Sequence, residues 1–113
     1  MIPRGLPVYV ALEAVDMRMG IERLGGWVRD RLHMEPLGQA LFVFVGKRGN
    51  SMKVLTADGS GVIVVNKRLN SGRFELPVAT APGQDHLVVS DALFAAIFAG
   101  TVMQARRRKR KLN

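Results

Sequence analysis

Residues 41–77 carry the clearest hydrophobic and polar pattern in the chain: three apolar runs rich in β-branched residues, 41–45, 52–57 and 62–65, separated by two polar breaks that contain glycine. Short runs of this kind at this spacing predict an antiparallel β-meander. Leu41 to Val45 reads as a buried strand, and Gly46-Lys47-Arg48-Gly49-Asn50 as the break that follows it. Asp58-Gly59-Ser60-Gly61 predicts a tight hairpin, because Asp-Gly readily supplies positive φ angles. The segment Lys67-Arg68-Leu69-Asn70-Ser71-Gly72 then leads into a short edge strand at 73–76, which Pro77 stops because it lacks the N–H a ladder needs.

The flanks add two helices and two strands. Residues 8–12 form the first expected strand. Asp16 is placed to cap a helix running to about Met34, in which Ile21, Leu24, Val28 and Leu32 recur every three or four residues and share one face. Gly25 and Gly26 weaken its middle by about 1 kcal/mol each relative to Ala, which suits close packing against a sheet. Pro36-Leu37-Gly38 ends it. After a loop at 78–84, residues 86–89 predict another strand, and Ser90 caps a final helix whose Ala92, Leu93, Ala96 and Ile97, flanked by Phe94 and Phe98, form a broad apolar surface up to Gly100. The expected fold class is α+β: an antiparallel meander sheet of four to six strands, packed by an N-terminal and a C-terminal helix on one face.

Composition changes this picture in three ways. A chain of 113 residues buries about two-thirds of its unfolded surface, enough for a core. The absence of cysteine excludes disulfides, thiol catalysis and Cys-based zinc sites. His33 and His86 stand apart from each other and from any carboxylate cluster, so no metal site and no cofactor are expected. The net charge of +8 is concentrated at one end: Arg106-Arg107-Arg108-Lys109-Arg110-Lys111 holds six of the 17 basic residues, and the remainder, 11 basic against 9 acidic, is close to neutral. A single domain over 1–104 and a disordered basic tail over 105–113 are therefore expected. The opening residues, with two prolines and an Arg, do not read as a secretory signal, and the charge-free run 92–103 is too short to span a bilayer. A cytoplasmic protein with no membrane partner is expected.

The residues 41–44, Leu-Phe-Val-Phe, together with Lys53-Val54-Leu55, Asp58-Gly59-x-Gly61, Lys67-Arg68-Leu69 and Gly72-Arg73-Phe74 closed by Pro77, resemble the TnpB accessory proteins of bacterial insertion sequences of the insertion-sequence-66 type. Met1-Ile2-Pro3 and Asp16-Met17-Arg18-x-Gly20 match as well, so the resemblance covers the chain from Met1 to about Gly100. Two positions depart from the pattern: Val45 stands where the family usually has Arg, and Thr56-Ala57 where it has an aromatic pair. The resemblance implies a small helper protein encoded beside a separate transposase and needed for efficient transposition, with no established catalytic residue. This TnpB is unrelated to the RNA-guided nucleases that share the name.

Basic residues gather in two places. The tail, Arg106 to Lys111, has no interleaved aromatic and suits phosphate neutralisation, not base reading. Six phosphate contacts would cost about a thousandfold in affinity between 50 and 200 mM salt. In the meander, consecutive turns fall at opposite ends of the sheet, which brings Lys47, Arg48, Lys67 and Arg68 toward one edge, with Arg73 close behind. Edge strands also use Lys and Arg to discourage aggregation. Arg18 reads as a local partner of Asp16 or Glu22, or as a phosphate contact. Trp27 reads as the edge of the core. The acids Asp16, Asp58 and Asp91 are accounted for by turns and caps, and with Asp85 they show no convergence of the kind two-metal chemistry needs, so the chain is read as a non-enzyme.

Two functions follow as expectations. In one, the protein binds DNA through the sheet-edge patch and the tail while assisting the transposase of the same element. In the other, it docks on that transposase through Phe94, Ile97 and Phe98 of the final helix, with no specific DNA binding. A homo-oligomer is compatible with either.

Overall fold

The computed structural model describes residues 5–36 and 40–100, and its centre is strand β2, Leu41–Val45. Every residue of β2 is buried, none more than 5 % exposed. A strand that is apolar at each position, without alternation, must be covered on both faces. Leu41, Val43 and Val45 enter one core with Val8, Val10, Met52, Val54, Phe94 and Ile97. Phe42 and Phe44 enter a second core with Leu24, Val28, Ala40 and Leu55. The two helices therefore lie on opposite faces of the sheet, and the expectation of one shared face is corrected.

The sheet has five strands in the order β4-β3-β2-β1-β5. β2, β3 (Ser51–Ala57) and β4 (Val62–Arg68) form the antiparallel meander expected from the pattern. The sheet as a whole is mixed, however. β1 (Val8–Ala11) is inserted between β2 and β5 (His86–Val89), parallel to the first and antiparallel to the second. A parallel neighbour needs a long crossover, and residues 12–40, which include the first helix, provide it.

Three local expectations also change. First, helix α1 begins at Ile21, with Gly20 and not Asp16 at its N-cap. Val15 is held in a bridge with Gly46, its N–H donating to the Val45 carbonyl at 3.1 Å, so the chain at Asp16 is still leaving the sheet. α1 covers Ile21–Trp27, passes into a π-helical stretch at Val28–Leu32, and stops at His33, which takes the left-handed conformation with φ 56°. Leu24 and Val28 are the stripe residues it buries completely; Ile21 is exposed. Second, β4 continues past Val65 to Arg68, which puts Lys67 and Arg68 on a strand. Third, residues 73–76 form no strand. The Phe74 N–H donates to the Gly49 carbonyl at 2.7 Å, its ring is buried in the first core and Leu76 packs against that core, so this segment is held mainly by side-chain packing and not by a ladder.

The hairpin between β3 and β4 forms where Asp58 predicts it, but by a different mechanism. Neither Gly59 nor Gly61 has a positive φ. The Asp58 carboxylate instead accepts from the Ser60 N–H and hydroxyl at 2.8 Å each and from the Gly61 N–H at 3.0 Å, and so acts as an Asx cap for the loop. At the other end of the chain, Ser90 caps helix α2, Asp91–Ala99, accepting from the Leu93 N–H at 3.1 Å. Gly100 ends it with φ 69°. That glycine is required twice over, since a Cβ there would also lie 2.8 Å from the Leu69 methyls.

Two aromatic contacts brace the α1 side. Trp27 stands edge-on to Phe44, with ring centroids 5.3 Å apart, and Tyr9 stacks on Phe42 at 5.6 Å. Phe44→Ala is expected to lower the free energy of unfolding by about 3–5 kcal/mol. Val88→Ala, at an exposed edge position, is expected to change it by less than about 1 kcal/mol; urea denaturation of both variants checks the contrast.

Candidate nucleic-acid interface

At one end of the sheet the β2–β3 turn, the end of β4 and the chain leaving β1 surround a cleft of about 650 Å³. The β2–β3 turn is tight: Gly46 N–H donates to Ser51 O and Gly49 N–H to Gly46 O, with Gly49 at φ 82°. The segment after β4 is bonded to the same turn, because the Leu69 N–H donates to the Asn50 carbonyl at 2.9 Å. The first and third connections of the meander thus meet at one edge, as alternating turns require.

Lys47, Arg48 and Arg68 all line this cleft, and all three are exposed. None makes an ion pair with a described residue. Arg73 is also exposed and lies on the outside of the β2–β3 turn, where a Cβ on Gly49 would come within 2.8 Å of its Nε. Lys67 is not with them. Consecutive residues of a strand point to opposite faces, and Lys67 faces α2, where its Nζ donates to the Phe98 carbonyl at 2.6 Å and sits 4.2 Å from the centre of the Phe98 ring. A cation at the last carbonyls of a helix is favoured by the helix dipole, and Lys67 pins α2 to β4. Its grouping with Lys47, Arg48 and Arg68 is therefore corrected.

Arg18 joins the cleft in its place. Its guanidinium holds Asp16 by a bidentate pair, Nη2–Oδ2 2.7 Å and Nε–Oδ1 3.1 Å, and its backbone N–H donates to the same carboxylate at 2.9 Å. The pairing with Asp16 was legible from their spacing. The shared cleft with Arg68 was not, because no local signal connects positions so far apart in the chain. Lys53, on the α1 side of β3, is also committed: its Nζ donates to the Met19 carbonyl at 2.8 Å and so holds the loop that carries Arg18.

Phe94 and Ile97 are buried in the first core, and Phe98 packs against it. Phe94 and Phe98 also contact each other, with centroids 5.8 Å apart. These side chains hold α2 on the sheet, and the outward side of the helix is Leu93 with alanines. Among the described residues no cluster of three or more His, Asp or Glu could hold a metal ion, and no helix is long and apolar enough to cross a membrane. The tail residues 106–111 lie outside the described residues.

A mixed-sheet α+β protein with one helix on each face and a cationic cleft at one sheet end is the class of molecule that this geometry defines. The chain belongs to the family described as IS66 Orf2 like protein, which matches residues 6–108. It is similar to two proteins of Sinorhizobium fredii, both described as uncharacterized: y4hO, 35% identical over 102 residues, covering 88% of this chain and 86% of that protein, and y4jC, 37% identical over 107 residues, covering 94% and 88%. No solved structure matches. Membership associates the protein with IS66 transposition as an accessory component. Val45, Thr56 and Ala57 are all buried: Val45 in the first core, Ala57 at the end of β3, and Thr56 with its hydroxyl donating to the Ala40 carbonyl at 3.3 Å.

Three carboxylates, exposed Asp16 and Asp58 and half-buried Asp85, are held in their charged form. Arg18 holds Asp16 well below the usual carboxylate range, the Ser60 N–H and hydroxyl lower Asp58, and His86, at 2.8 Å, lowers Asp85 with help from Arg31. In each case the folded-state pKa lies below the unfolded one. The stabilisation is therefore complete above the unfolded value, about 4, and is lost as pH falls through the folded value. Urea denaturation between neutral pH and pH 2 is expected to show stability declining below about pH 4. Asp16→Asn is expected to make that decline shallower.

Proposed function

We propose that the protein assists transposition by binding DNA through Lys47, Arg48 and Arg68. The observation that carries this reading is the set of three exposed cations, without ion-pair partners among the described residues, gathered around one cleft by the β2–β3 turn and the end of β4. Cations on a braced scaffold neutralise phosphates at a lower ordering cost than cations on free chain. Arg73 extends the basic surface along the same turn. The tail, Arg106 to Lys111, adds to it. Its attachment favours this, because Gly100, the last described residue, packs against Leu69, the residue after Arg68. The family's association with transposition makes element DNA the natural ligand. The protein acts here without catalysing a reaction, beside a separate transposase.

Docking on the transposase through Phe94, Ile97 and Phe98 has less support, since the first two are core side chains. The cleft reading does not exclude contact with the transposase elsewhere.

Fluorescence-anisotropy titration of labelled DNA at several salt concentrations tests the proposal. Each phosphate contact removed lowers the slope of log affinity against log salt by about 0.9 on duplex DNA. The Lys47→Ala/Arg48→Ala/Arg68→Ala triple variant is expected to lose close to three such increments in the full-length chain. Neutralising 106–111 to Ser is expected to lower both affinity and slope further. Lys67→Met is expected to leave the slope unchanged while lowering thermal stability. An unchanged slope in the triple variant would remove the cleft from the mechanism.

A further inference from the structure

The cleft is more than a charged edge, because its floor is apolar. Met17 lies across Gly46 so closely that a Cβ on that glycine would sit 2.5 Å from the Met17 Cγ, and Ala14 and Val15 continue the same surface. Lys47, Arg48 and Arg68 stand around this floor, and the one acid lining it among the described residues, Asp16, is already neutralised by Arg18. A concave site of about 650 Å³ has the size of a small-ligand pocket and not of a duplex-wide groove. Its chemistry is that of a nucleotide: phosphate for the cations, a flat apolar face for the floor.

An intact double helix meets such a site poorly. It presents its phosphates outward and keeps its base faces stacked, so the floor would stay uncovered. An unpaired nucleotide offers both parts at once. Its phosphate meets guanidinium groups suited to bidentate contact, and its base lies on the polarisable Met17 thioether or against the plane of Arg48 or Arg68. We propose that this cleft is a receptor for one unpaired nucleotide of single-stranded or frayed DNA. It would direct the protein to DNA ends and melted junctions in preference to closed duplex. This rests on the DNA-binding reading above and specifies which form of DNA the cleft takes.

The full-length protein is titrated by fluorescence anisotropy with a blunt duplex, the same duplex carrying a short single-stranded overhang, and the single strand alone, all at one salt concentration. The overhang and the single strand are expected to bind about tenfold tighter than the blunt duplex, the difference that one stacked base supplies. Ala14→Leu adds bulk to the floor at an exposed position without changing charge, and is expected to abolish that preference, so that the overhang and the single strand bind no tighter than the blunt duplex. Thermal denaturation of the variant establishes that its fold is intact, and Ser51→Leu, at another position lining the cleft, serves in its place if it is not. Equal binding of all three DNAs, with affinity still lost in the Lys47/Arg48/Arg68 triple variant, would overturn the nucleotide receptor and leave the DNA-binding reading standing. A preference that survives filling of the cleft would overturn the receptor as well. Loss of binding to every DNA form would overturn both.

Discussion

The architecture depends on β2 having no polar face. Five consecutive apolar residues, all buried, cannot sit at a sheet edge or under solvent on one side without exposing several large side chains. Burying them takes a neighbouring strand on each side and a helix on each face. β3 and β1 supply the strands, α2 covers Leu41, Val43 and Val45, and α1 covers Phe42 and Phe44. The parallel pairing of β1 with β2 and the division into two cores are two consequences of that one requirement.

The same requirement determines where the basic residues end up. Once both faces are occupied by helices, cations on β3 and β4 have restricted directions. Lys67 points toward α2 and is used on its last carbonyls, and Lys53 points toward the α1 side and is used on the Met19 carbonyl. Lys47, Arg48 and Arg68, at the sheet end, are exposed and make no ion pair among the described residues. The division between structural and available cations therefore follows from strand parity and from which surfaces are already packed. Charge density along the sequence does not reveal it.

Packing also gives the large side chains of α2 a structural task. Its three largest apolar groups, Phe94, Ile97 and Phe98, are needed to cover the first core. The helix is held at its start by Ser90, at its end by Gly100 against Leu69, and near its last carbonyls by Lys67. Removing α2 to expose those side chains would take Phe94 and Ile97 away from the core they share with Val8, Val10 and Val43.

Taken alone, the amino-acid sequence determined the features set by short-range chemistry. The apolar runs at 41–45 and 86–89 became strands, Ser90 and Gly100 bounded a helix, Asp58 closed a hairpin, and Asp16 took Arg18. Family membership was legible too, because it is carried by the residues themselves across 6–108. The tertiary structure decided the rest: that β1 enters between β2 and β5, that α1 starts only at Ile21 because Val15 is still bridged to Gly46, that residues 73–76 stay outside the sheet, and that Lys67 and Arg68 part company. The physical reason is common to all four. Each depends on which distant segment offers the better burial or the free hydrogen-bond partner, and a residue's neighbours in sequence carry no information about that competition.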